Sequence, residues 1–369
     1  MISHSIYKKP VLLVGNGVRS AGASEIVYKF ARKTDIPVLT TMNAVDLIQD
    51  DLKIGFIGTY GNRVSNMILS KCDLLISVGA RLGLRQVGHL SKHFAPNAKL
   101  IRVDIDQYEL SRCVKEDEEK HLMDAKDFME KLLEEDAPLF TDWKKKCLRV
   151  AKLLSGIDNE TGNLVIEKIS LLLPKNPIVA VDVGQNQCWS AQSLHLKGEN
   201  GRILIGGGYG SMGCGLPYAI GASIANNSST VYCITGDGGL QMNIQEFETV
   251  FSERLPIKIL VLNNYALGKI SEIQFGSYDS RFAQTTSNSG YHVPDFVKIA
   301  EAYGIKAVNV EDYSKLDEYK NWLYDYEPCL INIKLPENTL LIPKIKWETG
   351  KISPELDSEL AKEVDSILS

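Results

Sequence analysis

Two polar residues that follow strand-like runs offer the clearest chemistry in this sequence. Asp237 lies in a Gly-Asp-Gly-Gly turn directly after the β-branched run 230–235, and Asn264 follows the apolar run 257–263. Apolar residues at helical spacing between these runs predict a helix over 241–254. A strand, a helical crossover and a second strand form a βαβ unit with parallel strands. We therefore expect Asp237 and Asn264 to lie side by side at the carboxyl edge of one sheet, where open α/β sheets bind ligands.

The residue types at this edge are typical of a site for a cation and a phosphate. Asp237 and Asn264 both offer oxygen ligands, which Mg²⁺ prefers. Gly238 and Gly239 bring unobstructed backbone N–H groups to a helix N-terminus, where anions bind. The alternative is that Asp237 is only a helix N-cap and Asn264 only a turn residue. The complete spacing favours a cation that holds a diphosphate.

The stretch 236–264 resembles the thiamine-diphosphate-binding motif, and residues 8–335 are similar to acetolactate synthase and its decarboxylase relatives. The resemblance implies Mg²⁺ bound by the side chains of Asp237 and Asn264 and by the backbone carbonyl of Ala266. It also implies that loop residues around the metal contact the cofactor. These are Gly184, Gln185, Asn186, Gly210, Met212, Gly236, Asp237, Gly238, Gly239, Asn264, Ala266 and Gly268.

Three of these residues have more specific implied roles. Asn186 stands where the similar enzymes have a His in a Val-Gly-Gln-His-Gln stretch, so it keeps a hydrogen-bonding group without a potential cation. Met212 is implied to press beneath the cofactor and hold its two rings in a bent form. The carbonyl of Gly210 is implied to accept a hydrogen bond from the pyrimidine amino group.

The resemblance implies a thiamine-diphosphate- and Mg²⁺-dependent decarboxylation of a 2-oxo acid with carboligation to an acceptor. The cofactor supplies this chemistry, and the protein supplies position and electrostatics. Lys269 and Ile273 replace a Met and a Trp that line the substrate channel of acetolactate synthases, so the donor and acceptor are left open.

The family's activating Glu lies on an N-terminal pyrimidine-binding domain, and this sequence starts at the linker that follows it. We therefore assign no catalytic residue here and expect a pyrimidine-binding domain or subunit to be supplied elsewhere. Because the family's active sites lie between protomers, we also expect a homo-oligomer.

Two other functions remain open from the sequence. The first is a catalytically inactive cofactor-binding or regulatory module that keeps the pocket. The second is an NAD-dependent oxidoreductase, indicated only by the pattern Gly208-x-Gly210-x-x-Gly213 after a short strand-like run. Taken alone, that glycine pattern is a weak signal.

Alternating strand-like and helix-like segments predict an α/β protein with two consecutive parallel-sheet layer domains. Residues 1–155 are expected to form a central domain, 156–340 the diphosphate-binding domain and 341–369 a C-terminal tail. FAD is left open for the first domain, where Arg81 and Arg85 keep the spacing of two arginines in flavin-binding relatives. Strands are predicted over 10–15, 37–40, 74–78, 100–104, 177–182, 203–205, 230–235, 257–263 and 329–333, and helices over 23–32, 64–71, 163–173 and 294–303.

Composition limits the remaining classes. The chain is 44% apolar and 24% charged with a net charge of −5, which argues against nucleic-acid and membrane partners. Its seven cysteines are scattered without zinc-site or disulfide spacing, as expected of a reducing compartment. No apolar run approaches the length of a membrane span, so we expect a cytoplasmic protein.

Overall fold

The computed structural model describes residues 6–48 and 52–369. The chain divides into two compact units. The first contains the residues up to Asp158 together with Ile342–Ser369, and the second contains Asn159–Leu341. A six-stranded parallel sheet lies in each unit, so the predicted α/β fold with two parallel-sheet layers is confirmed.

The sheet of the first unit consists of six strands. They are β1 (Pro10–Val14), β2 (Val38–Thr40), β3 (Lys53–Phe56), β4 (Leu74–Val78), β5 (Lys99–Asp104) and β6 (Glu119–Leu122). Their spatial order is β3-β2-β1-β4-β5-β6, and every pairing is parallel. The central strands β1 and β4 are completely buried, as apolar strands covered on both faces should be.

Helices pack around this sheet. They are α1 (Gly17–Ser20), α2 (Ser24–Thr34), α3 (Arg63–Lys71), α4 (Leu84–Val87), α5 (Gln107–Ser111), α6 (Ala125–Glu134) and α7 (Thr141–Leu153). Val27, Phe30 and Ala31 recur along one face of α2 and are fully buried in the core. The side chains of Asp106 and Asp124 cap α5 and α6 by accepting backbone N–H groups.

The sheet of the second unit also has six strands. They are β7 (Ile178–Val181), β8 (Arg202–Ile205), β9 (Val231–Gly236), β10 (Ile257–Asn263), β11 (Lys306–Val310) and β12 (Cys329–Lys334). The order is β11-β12-β10-β9-β7-β8, again entirely parallel. After β7 the chain first places β8 on one side and then β9 on the other. The crevice at the carboxyl ends of β7 and β9 is therefore a topological switch point, the usual ligand position in such sheets.

Eight helices accompany this second sheet in the described residues. They are α8 (Thr161–Leu172), α9 (Gln185–Ser193), α10 (Gly215–Ala225), α11 (Asp237–Met242), α12 (Phe247–Ser252), α13 (Gly268–Ser277), α14 (Phe296–Ala302) and α15 (Lys320–Tyr324). The apolar core between helices and sheet includes Phe247 and Val250 from α12 and Phe296 from α14.

The crossover between β9 and β10 differs from the predicted single helix over 241–254. Helix α11 begins at Asp237 itself, a short 3₁₀ turn spans Ile244–Glu246, and α12 then continues to Ser252. Asn243 leaves the helical region, with φ −136°, and its side-chain amide donates to the carbonyl of Gly213 at 2.8 Å. Helix α11 thus ends where the side chain of Asn243 bonds to a neighbouring loop, as Asn side chains that compete with helical hydrogen bonding do.

Of the predicted tail 341–369, Ile342–Ser369 cluster with the first unit, whereas Leu341 belongs to the second. A two-stranded antiparallel hairpin forms from β13 (Lys344–Ile345) and β14 (Ile352–Ser353), and α16 (Ser358–Leu368) follows. Val364, Ile367 and Leu368 of α16 are part of the core of the first unit. Within residues 6–48 and 52–369, no helix has the length and apolarity needed to cross a membrane.

Candidate functional site

The loops that follow β7, β9 and β10 carry most of the predicted site residues. Because β9 pairs with β7 on one side and β10 on the other, these loops meet at the switch point. Gln185, Asn186, Asp237 and Asn264 are all buried, with exposures of 6%, 3%, 2% and 5%. Four polar side chains buried at one sheet edge require an explanation beyond turn formation.

Asp237 has the most informative environment. Its Oδ1 accepts the backbone N–H of Gly238 at 2.7 Å, whereas its Oδ2 is buried and has no hydrogen-bond partner in the described part of the chain. Burial raises the pKa of Asp237 to about 7, whereas the nearby backbone N–H groups of Gly238, Tyr265 and Ala266 and the hydroxyl of Tyr291 act in the opposite direction without completing a hydrogen bond to Oδ2. A bound cation would stabilise the ionised carboxylate at this position, so the site fits a metal such as Mg²⁺.

Asn264 is held in a defined orientation by Gln185. The Nδ2 of Asn264 donates to Oε1 of Gln185 at 3.0 Å, and Nε2 of Gln185 donates to the carbonyl of Thr339 at 3.1 Å. The amide oxygen of Asn264, the atom that a cation would use, therefore lies on the side of the amide away from Gln185. A Cβ at Gly268 would lie only 1.9 Å from Oε1 of Gln185, so this contact requires glycine there.

The loop after β7 is shaped by Gly184 and Asn186. Gly184 has φ +148° and directly precedes α9. The side-chain amide of Asn186 donates to the carbonyl of Asp182 at 2.7 Å, and its Oδ1 lies 3.3 Å from where a Cβ on Gly236 would be. Asn186 thus joins the β7 loop to the start of the Gly-Asp-Gly-Gly turn.

Met212 reaches the same turn from a separate loop. A Cβ added to Gly238 would lie 3.3 Å from Cε of Met212 and 2.5 Å from Cδ2 of Leu267. Met212 nevertheless remains 37% exposed, so part of its side chain is available to a ligand. Gly210, in the same loop, has φ +68°, a conformation that glycine adopts without strain.

The position of this loop argues against the nicotinamide alternative. The Gly208–Gly213 pattern follows β8, which is an edge strand. A dinucleotide fingerprint instead occupies the first turn at the switch point. Here the switch-point turns carry Gly184 and Asp237.

Asp182, predicted only as the end of a strand, joins the loop after β7, the loop that holds Gly213, and strand β9. Its Oδ1 accepts the backbone N–H groups of Val183 at 2.7 Å and Gly213 at 2.9 Å. Its Oδ2 accepts the hydroxyl of Thr235 at 3.0 Å. Burial raises the pKa of this carboxyl, and the N–H of Val183 opposes that effect. The only sequence feature that pointed to Asp182 was its position as a polar residue at the end of a buried strand.

Tyr291 is a second residue that sequence reasoning missed. Its hydroxyl accepts a hydrogen bond from Nε2 of Gln241 at 3.4 Å and lies 3.1 Å from a Cβ placed on Gly238. Burial and the neighbouring charge of Asp237 raise the pKa of Tyr291. The phenol comes from a loop distant in sequence, and no local pattern marked it.

Lys269 and Ile273, which the resemblance implies to differ from the substrate-channel residues of acetolactate synthases, lie on α13. Lys269 is half-buried, and Ile273 is 46% exposed. Both follow Asn264 closely in the chain and precede a run of exposed apolar side chains that includes Phe275. The charge of Lys269 and the aliphatic side chain of Ile273 therefore affect which molecules α13 can contact.

Comparison with known proteins gives a consistent family assignment. One matching family is described as the thiamine pyrophosphate enzyme central domain, over residues 5–132. The other is described as the thiamine pyrophosphate enzyme C-terminal TPP binding domain, over residues 182–333. Thiamine pyrophosphate is another name for thiamine diphosphate.

Similar proteins include several acetolactate synthase large subunits. The isozyme 2 large subunit of Escherichia coli (strain K12) is 32% identical over 340 residues, covering 89% of this chain and 60% of that protein. The large subunit of Lactococcus lactis is 34% identical over 351 residues, covering 92% and 60%. That of Cyanidium caldarium is 36% identical over 318 residues, covering 82% and 53%.

The chain thus spans at most about three fifths of the length of these relatives. The two family matches lie in different units, with the central-domain match in the first and the C-terminal match in the second. The chain belongs to the thiamine pyrophosphate enzyme family and is similar over about nine tenths of its length to acetolactate synthase large subunits.

Proposed function

We propose that this chain binds thiamine diphosphate and Mg²⁺ as part of an acetolactate synthase-like enzyme. Mg²⁺ would be held by the side chains of Asp237 and Asn264 and by the carbonyl of Ala266. The cofactor, when bound, supplies the chemistry for decarboxylating a 2-oxo acid and joining the product to an acceptor. The protein's part is to fix the metal and exclude water from the buried edge.

The observation that carries this proposal is the buried Oδ2 of Asp237. It lacks a hydrogen-bond partner among the described residues, and a buried polar atom in that state is costly unless a ligand occupies the site. Asn264, whose amide is oriented by Gln185, provides a second oxygen ligand. Gly238 and Gly239 open α11 with backbone N–H groups suited to a phosphate.

The remaining cofactor contacts are proposed from the same geometry. The residues are Gly184, Gln185, Asn186, Gly210, Met212, Gly236 and Gly268. Met212 is the strongest of them, because its Cε lies close to Gly238 while part of its side chain is exposed. That placement suits a side chain that supports a bound ring.

Turnover would require a pyrimidine-binding domain from another chain or another part of the protein, and we propose a homo-oligomer. If turnover is absent even with such a domain, the chain is a cofactor-binding or regulatory module. Lys269 and Ile273 differ from the Met and Trp that the resemblance implies at these positions in acetolactate synthases. These two residues should therefore guide the choice of donor and acceptor substrates to be tested.

The test is calorimetric titration of thiamine diphosphate into the purified chain with Mg²⁺ and then with a chelator. We expect saturable binding that requires Mg²⁺ and is lost in Asp237→Ala. Glu253→Ala is the matched control, since Glu253 is an exposed acid on the same crossover and should leave binding unchanged. Unchanged affinity in Asp237→Ala would contradict the metal assignment.

FAD in the first unit remains a prediction. The side chain of Arg81 is 71% exposed, and its Nε pairs with Glu109 at 2.8 Å, so its guanidinium already contacts a carboxylate. The carbonyl of Arg85 accepts the backbone N–H of Thr59 at 2.8 Å. Flavin absorbance in the protein as purified would decide the question directly.

A further inference from the structure

A cavity in the first unit lies outside the proposed thiamine diphosphate site. Its volume is about 160 Å³. Thr59 and three segments of the same unit line it: α3, the stretch 86–95, and the β13–β14 hairpin. None of the residues proposed to bind thiamine diphosphate or Mg²⁺ is among its lining residues, and neither are Arg81 and Arg85.

The floor of this cavity is apolar. Leu69, Phe94 and Ala95 line it with exposures of 5%, 3% and 1%. The polar groups there are already bonded to backbone. The side-chain amide of Asn66 accepts from and donates to the backbone of Gly58 at 3.0 and 2.9 Å, and the hydroxyl of Ser70 donates to the carbonyl of Met67 at 2.7 Å. The floor therefore favours an apolar group.

The mouth of the cavity has basic and hydrogen-bond-donating side chains. His89, His93 and Lys346 line it, and all three are exposed. No Asp or Glu is among the lining residues that the structure describes. A ligand with one negative charge at the mouth would meet Lys346 and two imidazole groups without a nearby lining carboxylate to repel it.

Trp347, in the β13–β14 hairpin segment, lies beside the mouth of the cavity. The ring centroids of His89 and Trp347 are 6.4 Å apart with planes 32° from parallel. Gly350 turns the hairpin with φ +69°, and a Cβ there would lie 2.8 Å from Cγ of His93. The turn thus packs closely on one imidazole, and Trp347 offers a flat apolar face.

We propose that this cavity binds a small aromatic monocarboxylic acid, with the ring on the apolar floor and the carboxylate at Lys346, His89 and His93. The size is suitable, because an engineered apolar cavity of about 150 Å³ in another protein binds benzene. The site does not depend on the proposed cofactor function, since its lining residues lie entirely in the first unit.

The test is calorimetric titration of the full chain with benzoate, with benzyl alcohol as the neutral analogue of similar shape. Benzoate should bind saturably at one site and more tightly than benzyl alcohol. Lys346→Gln should weaken benzoate binding about fivefold, the upper range for an exposed charge pair. Lys351→Gln is the matched control, because Lys351 lies on the same hairpin segment, pairs with Glu355 at 3.9 Å and does not line the cavity.

A cavity-filling variant provides an independent check. Val87→Phe adds volume at a half-buried lining position and should abolish benzoate binding while the thermal unfolding midpoint without ligand stays close to that of the parent chain. If that variant fails to fold, Lys346→Gln alone decides the outcome.

Three results of these direct titrations would overturn the proposal. They are no saturable benzoate binding, equal affinity for benzoate and benzyl alcohol, or equal weakening by Lys346→Gln and Lys351→Gln. Displacement of benzoate by saturating FAD would also overturn it, because the cavity would then be part of a nucleotide site.

Discussion

At the scale of single residues, Gly268 shows how a missing side chain positions a proposed metal ligand. The contact between Gln185 and Asn264 exists only because nothing projects from Gly268. Gly268→Ala should displace Gln185, release the amide of Asn264 and weaken Mg²⁺-dependent thiamine diphosphate binding about tenfold, as loss of such outer-sphere contacts commonly does. Calorimetric titration measures the change.

Gly276→Ala is the control for this prediction. Gly276 lies on the same helix, α13, and a Cβ there would meet nothing within 4 Å. The substitution should leave cofactor affinity unchanged and should slightly stabilise the helix, because Ala loses less backbone freedom than Gly. Equal affinities in the two variants would show that the Gln185 contact has no role in metal binding.

Asp182 and Thr235 supply a second prediction at this scale. Thr235→Val keeps the shape of the side chain but removes the hydroxyl that donates to Oδ2 of Asp182. Because a buried carboxylate oxygen then loses its donor, we expect a loss of about 1–3 kcal/mol in the free energy of unfolding. Urea denaturation measures it.

The control for Thr235→Val is Thr249→Val. Thr249 donates to Oε2 of Glu246 at 2.8 Å, and both residues are only half-buried, whereas Thr235 and Asp182 are buried. Water can replace that bond, so the control should lose clearly less stability. If both variants lost the same amount, the network around Asp182 would contribute no more than a surface contact.

The site was partly predictable because its strongest residues follow strands. Asp237 and Asn264 could be placed together from the βαβ pattern, and the structure brings their loops to adjacent strands. Asp182 and Tyr291 could not be placed, because their partners come from loops distant in sequence. The sequence carries no periodic signal for contacts of that kind.

At the scale of elements, the accuracy of the strand predictions depends on position in the sheet. The interior strands β1, β4, β9, β10 and β12 were predicted to within about one residue because both faces are covered and their sequences are mainly apolar. The strands β3, β6 and β11 were missed, and all three are sheet edges. Most of β6 is exposed, so its sequence lacks the apolar run that identifies a buried strand.

An ion pair joins helices α2 and α7, and its contribution to stability should depend on pH. Asp35 ends α2, accepts the Thr141 hydroxyl at 2.6 Å and pairs with Lys144 at 2.8 Å. The hydrogen bond from Lys144, followed by that from Thr141, lowers the pKa of Asp35. The unfolded state therefore binds this proton more readily, and the contribution to stability is present above the ordinary value of 3.8 and is lost as pH falls through the folded-state pKa.

Asp35→Asn tests this linkage at a position with φ +55°, which Asn tolerates. The variant should lose about 1 kcal/mol in the free energy of unfolding at pH 7. The difference from the parent chain should shrink as pH falls below 3.8. Denaturant titrations between pH 3 and pH 7 measure it. A difference that stays constant with pH would contradict the assignment.

At the scale of the whole molecule, each unit has its own apolar core, and the first core is discontinuous in sequence. Strands and helices before Asp158 form most of it, and α16 near the C-terminus completes it. No pattern in the sequence showed where residues 341–369 would pack, because an amphipathic helix can cover any apolar surface. Packing of α16 thus contributes to the stability of the first unit, which is formed mainly by the N-terminal part of the chain.

Leu368→Ala tests that assignment. Leu368 is fully buried, and its backbone carbonyl accepts Nζ of Lys9 at 2.8 Å. Removing the side chain should cost about 2–5 kcal/mol and should lower hydrogen-exchange protection in α7 while leaving β9 and β10 protected. Lys362→Ala, an exposed substitution on the same helix, should change neither. Because the two cores share no residue, the loss should stay within the first unit. Equal loss of protection in β9 and β10 would show that the two units unfold as one.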